Sequence, residues 1–505
     1  MNTRYCFVLA VLLFSACNDF LDVTPETRYT PSNFFQTAEH IDGAVVGVYQ
    51  QNRTLHNSLQ WTFGEFLSDN STFQFNPSDR GGLQTEQLDQ FLALSDNGSI
   101  SSYWNTVYTG ISRCNYVLEK IDQVPYANQS VRERRRGEVL FFRAWYYFNL
   151  VRLFGDVPYI TNTFTTTGEA LSERFTKRIS ANEVYEFILN DAQIAIDKLP
   201  VRWEGEAGRA TRGAALMLKA KIYMARGTAF HAQAIPALEE LNTLGYSLLK
   251  NYKDVFDPAF KNHSESIFEI QYSFALEQPS NFLSSFVPWN SGSEILGTSG
   301  PAGSRAGLNQ PTKSLIRLYR AGDKRKAATI GNFIVLNNVT IDSDNDTIPY
   351  LAKYAFPFLD RGQQDVNWPM FRYADALLML AECYNTVNPL DQNAIGLVNL
   401  VRLRAGVPPL SDVSSDPTLV VSTPEELALA IERERRLELA FENHRWFDLV
   451  RTGKVEEVMA AHGIDERNQK GDVAVLPQAY TTIRTLLGIP FSQVQNFGME
   501  QNQGW

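Results

Sequence analysis

The chain has 505 residues, 44% hydrophobic and 20% charged, so a large core is available and a disordered chain is excluded. Its net charge of −10 excludes a general nucleic-acid binder, which needs an electropositive face. Six histidines and four cysteines form no CxxC, HExxH or comparable spacing, so neither metal nor cofactor is expected.

Residues 6–14, CFVLAVLLF, are apolar throughout and follow Arg4, the order of a secretory signal. The run is too short for a bilayer core of ~30 Å, which takes about 20 helical residues. Ser15 and Ala16 then lead into Cys17, an arrangement that resembles a bacterial lipobox with Phe14 where leucine is commoner. Removal of residues 1–16 and lipidation of the Cys17 thiol are expected. Acyl chains contribute ~0.8 kcal/mol per buried CH₂, so the mature chain would be tethered to a membrane, not threaded through it. No second apolar run reaches membrane length.

Downstream, residues 101–123 place Trp104, Val107, Tyr108, Ile111, Leu118 and Ile121 on helical spacing. The next helix, RRRGEVLFFRAWYYFNLVRLF, is aromatic nearly all round and should be packed on several sides, with Gly155 and Pro158 as its stop. Pairs recur at 181–199 with 209–226 and at 371–386 with 391–405, and a charged pair covers 424–460. Such pairs look like tetratricopeptide units, although their spacing is uneven. Cys114 and Cys383 fall in helix-like stretches and read best as buried free thiols, with a disulfide between them left open. The uneven spacing comes from two loop-rich segments, at about 67–100 and 245–370, where Ser, Gly, Pro and Asn gather. Long loops on a rigid scaffold commonly carry binding residues.

Two stretches invite other readings. RERRRGE at 132–138 and IERERRLELAFENHR from 431 are basic, but Glu432 stands four residues before Arg436, as on a solvated or inter-helix face. DSDNDT at 342–347 starts like a calcium loop, yet Thr347 replaces its glycine and Lys353 its chelating glutamate.

The chain resembles the SusD/RagB-like outer-membrane nutrient-uptake lipoproteins of Bacteroidetes. The resemblance is carried in order by CNDFLDVTPETRYTPSNFF, YWNTVYTGISRCNYVLEKI, FFRAWYYFNLVRLFGDVPYI, RATRGAALMLKAKIYMARG, FRYADALLMLAECYN, VNLVRLRAGVP, IERERRLELAFENHRWFDLVRTGK and LLGIPFSQVQNFGMEQNQGW. It implies a mostly α fold of four tetratricopeptide-like helix pairs with a loop-rich ligand-binding half, as a single domain over 17–505. It further implies a TonB-dependent β-barrel transporter as partner. The ligand would be an oligosaccharide, or less often a peptide, delivered to the barrel with no bond broken. Asp19 and Asp22 are similar to signals that send such lipoproteins to the outer face of the outer membrane.

A glycan-binding surface needs exposed aromatic faces beside amides, carboxylates or guanidinium groups. Phe73, Phe75, Asn76, Asp79 and Arg80 supply these in one loop, Phe286, Trp289 and Asn290 in the other, and Asp69 stands just before the first. Against this, Phe73 and Phe75 also fit a small strand with one face buried, and Trp61 and Trp368 read as core. A rival class is a surface glycoside hydrolase, which needs two carboxylates ~5–9.5 Å apart; no GxSxG nucleophile motif is present. A third is a helical-repeat scaffold that binds only protein.

Overall fold

The computed structural model describes residues 34–75, 82–164, 166–170, 172, 176–288, 291, 293–297, 306–334, 347–357, 359–360, 362–411 and 413–505. The signal segment and Cys17 lie outside these residues. The fold is mostly α.

Local capping sets where the helices begin. α1 (Ala38–Ser58) starts at Thr37, whose side chain accepts from His40 N, and α2 (Gly98–Lys120) starts at Asn97. α3 (Gln129–Phe154) starts at Asn128 and ends at Gly155, whose φ of 70° is one that glycine adopts without strain. The aromatic run of α3 is indeed buried on all sides: Phe141, Phe142, Tyr146, Tyr147 and Phe148 are essentially inaccessible. α2 can lie this close because a Cβ at Gly110 would sit 2.5 Å from the Tyr146 ring.

The scaffold then continues as α4 (Ala181–Lys198), α5 (Arg212–Ala225), α6 (His231–Asn242), α7 (Tyr373–Val387), α8 (Gln392–Ala405) and α9 (Pro424–Glu438). Each packs on its predecessor from α1 to α8, and α9 packs on α7. α4 and α9 carry full capping boxes, Ser180 with Glu183 and Thr423 with Glu426. α6, with Pro236 inside it, is an addition to the helices expected from periodicity.

The expected helix pair over 424–460 is instead three helices. α9 ends at Glu438, and α10 (Arg445–Arg451) and α11 (Val455–Ala474) follow. The break is a left-handed turn at Phe441 (φ 64°) and Asn443 (φ 67°). Glu65 holds it by accepting from Phe441 N at 2.9 Å and Asn443 N at 3.2 Å. Glu65 sits in a π-helical turn, Thr62–Phe66, where a Cβ on Gly64 would meet Asn443 at 2.6 Å.

Among the described residues eight short strands pair antiparallel: β1 (Ser71–Thr72) with β5 (Gln310–Pro311), β2 (Val157–Pro158) with β3 (Arg178–Ile179), β4 (Ser266–Ile270) with β8 (Trp368–Arg372), and β6 (Ile330–Ile334) with β7 (Thr347–Leu351). The β4–β8 pair, Ser266 opposite Arg372 and Ile270 opposite Trp368, closes the long inserted segment back onto the scaffold where α7 begins. Trp61 and Trp368 belong to the core as expected, and Cys114 and Cys383 are buried free thiols.

A buried ionic network locks the insertion to the helices. Arg372 pairs with Glu265, Glu438 and Glu442, Arg404 with Glu265 and Glu438, Arg325 with Asp323, Glu434 and Glu438, and Lys353 with Glu442. Burial alone would raise the pKa of Glu438, but Arg404, Arg372 and Arg325 hold it at about 2. The helix-face pairing expected of Glu432 with Arg436 does not form. Arg436 turns inward to Asp69 and Asn70, and Glu432 pairs with Arg445 and Lys454.

Candidate ligand-binding site

The two irregular segments meet in space. Thr72 pairs with Gln310, Gln74 N donates to Gly307 O at 2.7 Å, and Gly307 N donates to Val287 O at 2.9 Å. Leu308 N reaches Ser285 O at 2.9 Å, and Ser71 Oγ bonds Asn309 Oδ1 at 2.7 Å. Residues 68–75, 283–288 and 306–312 therefore form one hydrogen-bonded wall, although more than two hundred positions separate the first strand from its partner. α11 backs the wall: Lys470 donates to Phe73 O at 2.6 Å and pairs with Glu466 at 2.9 Å.

The wall decides the fate of the nominated residues. Phe73 is 1% exposed, Phe75 4% and Phe286 1%, so none of these rings is a stacking platform. Phe73 and Phe75 lie two positions apart in extended chain, hence on one face, and that face is turned to the core. Phe286 packs edge-on against Trp61 with centroids 5.2 Å apart. Asp69 is likewise structural: Arg445 Nε lies 2.7 Å and Arg436 Nη2 2.9 Å from its carboxylate oxygens. Burial would raise its pKa, but the two guanidinium groups hold it below the usual carboxylate range. Asn76, Asp79, Arg80, Trp289 and Asn290 lie outside the described residues. The described chain ends that lead to them, Phe75 and Pro288, both leave from this wall.

A small recess of about 50 Å³ lies beside Phe73, bordered by Thr72, Gln74, Gln310, Ile348 and Lys470. A larger cavity, about 430 Å³, lies elsewhere, beside the half-buried Trp203 and Tyr246, with Asn262 and Glu269 on its wall. Guanidinium groups of Arg135 and Arg209 stand 5.4 and 5.7 Å from the Trp203 ring centre. Sequence reading did not single out Trp203. The signal was its setting in VRWEGEAGR, a Gly-rich turn between two helices.

Sequence reading also missed Arg436, Arg445, Glu466 and Lys470, which hold the wall from behind. Glu466 and Lys470 carried a local signal in their four-residue spacing on one helix, whereas Arg436 and Arg445 reach Asp69 from more than 360 positions away. Among the described residues no group of His, Cys, Asp and Glu is arranged to hold a metal ion. Glu65 is one of the buried carboxyls pushed up, to about 7, first by burial, against the bonds from Asn70 and Phe441. Both its oxygens are engaged with Asn70, Phe441 and Asn443 beneath the 441–443 turn, so it is spent on structure and not presented to a substrate.

Residues 338–505 match the family model described as SusD family, and residues 19–224 match that of "Starch-binding associating with outer membrane". A SusD-like protein of Formosa agariphila is 28% identical over 504 residues, covering 91% of this chain and 92% of its own. The starch-binding protein SusD of Bacteroides thetaiotaomicron is 26% identical over 281 residues, 51% of this chain and 49% of its own. Among solved structures, a laminarin-binding SusD-like protein superposes with a TM-score of 0.74 at 27% identity, covering 93% of this chain and all of its own. A SusD homologue from Bacteroides thetaiotaomicron reaches a TM-score of 0.76 at 23% identity over 95% of this chain and all of its own, which speaks for the fold alone.

Proposed function

This chain belongs to the SusD/RagB-like family, and from that premise we propose that it is a surface lipoprotein that binds an oligosaccharide and passes it to a TonB-dependent β-barrel transporter. The observation that carries the reading is the convergence of both irregular segments on one wall of a rigid helical scaffold. A glycan is held by apolar contact with the C–H faces of its rings and by hydrogen bonds to its hydroxyls. Trp289, with Asn76, Asp79, Arg80 and Asn290, supplies those groups in the segments that leave the wall. The 27% identical laminarin binder makes a β-glucan the first ligand class to try. Binding without turnover is favoured by the engagement of Glu65 and Asp69 in structural bonds.

The test is calorimetric titration of the soluble Cys17→Ala protein with an oligosaccharide panel that includes laminarin fragments, alongside chromatographic analysis of products. Saturable binding with intact sugars is expected. Release of shorter sugars would make the chain an enzyme, and binding of peptides alone would make it a peptide carrier. A second arm compares Trp289→Ala with Trp203→Ala. If only the latter loses affinity, the glycan face is the cavity at Trp203 and not the wall.

A further inference from the structure

A second cavity of about 430 Å³ opens where the C-terminal ends of α3 and α5 meet α4, α10 and the final segment of the chain. That volume falls within the ~300–1,000 Å³ typical of small-molecule sites. Val151, Met224, Met379, Phe447 and Leu486 give it a substantial apolar wall.

Its charges do not balance locally. Arg152, Arg178, Lys221, Arg435 and Arg451 all line it. Lys221 and Arg435 share Asp375, at 2.5 and 2.8 Å. Arg435 and Arg451 share Asp448, at 3.0 and 2.9 Å, and Arg451 also takes Glu382 at 2.7 Å. Arg178 is spent on neutral oxygens that tie down the end of the chain, Asp156 O at 2.8 Å, Glu500 O at 2.7 Å and Asn502 Oδ1 at 2.6 Å, with the Asp156 carboxylate nearby. Arg152 is left over. Its guanidinium lies 3.6 Å from the Phe447 ring centre and 3.9 Å from that of Phe148, and it bonds Asn149 Oδ1 at 2.7 Å and Phe148 O at 3.3 Å. It forms no ion pair within 4.0 Å among the described residues, the Asp448 charge acting on it from farther off, and its Nη1 has no acceptor among them.

Arg152 is half-buried, and the ring contacts and the Asp448 charge offset only part of the cost of drawing its guanidinium from water. Burial pulls the Arg152 pKa down to about 10, so it remains a cation at neutral pH. With Nε and Nη2 engaged, Nη1 is the donor left for a ligand, and its bond to a carboxylate is charge-assisted.

We propose that this cavity binds a small organic anion made of one carboxylate and an apolar body. The carboxylate pairs with Arg152, and the body lies against Val151, Met224, Met379 and Leu486. The site is separate from the loop wall and does not depend on what binds there.

The test titrates the soluble Cys17→Ala protein with 8-anilinonaphthalene-1-sulfonate and follows its fluorescence. One site per chain is expected, displaced competitively by n-octanoate and not by n-octanol or by laminarin fragments. Arg152→Gln should weaken binding at least ~10-fold, the loss expected on removing a charge-assisted pair. Ala181→Phe puts a ring on the cavity wall, leaves every charge in place, and should abolish binding. Equal displacement by octanol, displacement by the glycan, or unchanged affinity in Arg152→Gln each overturns the proposal. Should Arg152→Gln fail to fold by circular dichroism, Ala181→Phe decides: unchanged affinity there overturns it.

Discussion

Arg445 Nε donates to Asp69 Oδ1 at 2.7 Å, joining α10 to the chain that enters β1 across 376 positions of sequence. Arg436 completes the clamp from α9. The acidic side chain that looked like a sugar ligand is thus the bolt between the loop wall and the helical scaffold. Replacing Asp69 with Ala leaves two guanidinium groups facing a vacated site, and breaking a buried pair in this way costs ~3–5 kcal/mol. A fall of that size in unfolding free energy by urea titration is expected. A variant of unchanged stability that has lost only glycan affinity would return Asp69 to the ligand set.

The aromatic residues of the two loops should separate into two classes. Phe73→Ala and Phe286→Ala remove rings that are 1% exposed, and each should destabilise the fold by ~3–5 kcal/mol. Trp289→Ala should leave the melting temperature unchanged and weaken glycan binding roughly fivefold or more, the loss expected on truncating a stacking anchor. Differential scanning calorimetry beside titration calorimetry reads both. An early-melting Trp289→Ala protein with normal affinity would make that ring core.

Glu65 predicts a pH dependence with a definite sign. Its folded pKa of about 7 lies above the ordinary 4.5, because burial disfavours the charged form. The folded chain therefore holds a proton that the unfolded chain releases, and stability from this group is fully present below pH 4.5 and lost as pH rises through 7. The size is of order 3 kcal/mol, at ~1.4 kcal/mol per unit. Glu438 acts oppositely and lower down: its stabilisation is present above pH 4.5 and lost as pH falls toward 2. The difference in unfolding free energy between the native protein and Glu65→Gln, measured from pH 4.5 to 8, should move against the native protein as pH rises. A difference that stays flat over this range would mean that Glu65 is already ionised in the fold.

Cys17 should be the lipidated first residue of the mature chain, because the apolar run of residues 6–14 ends in Ser15, Ala16 and Cys17. Cys17→Ala should shift the protein from the membrane fraction to the soluble one on fractionation, with loss of acyl mass from the intact protein. An unlipidated terminus elsewhere would refute this.

The helices were legible in the sequence because their causes are local. Asn97, Asn128, Ser180 and Thr423 stand where caps were needed. The all-round aromatic pattern of α3 marked it as the helix that others pack against, since a helix apolar on every face has no side to give to water. The missed helix, α6, carries Pro236, and the missed break at Phe441 and Asn443 depends on Glu65, hundreds of positions away. No local pattern announces a turn that is held from so far along the chain.

By itself the sequence determined the fold class, the helical scaffold, the likeness to a known family and the two segments that depart from helical periodicity. Residue type and spacing suffice for these, because a helix is stabilised by neighbours three and four positions apart. Only the tertiary structure decided which way a loop side chain points. Phe73, Phe75 and Asp69 have the composition of a sugar site, but the pairing of β1 with β5 and the reach of Arg436 and Arg445 turn all three inward. Composition states what a side chain can bind. Strand pairing and ion pairing between distant segments fix whether it meets ligand or core.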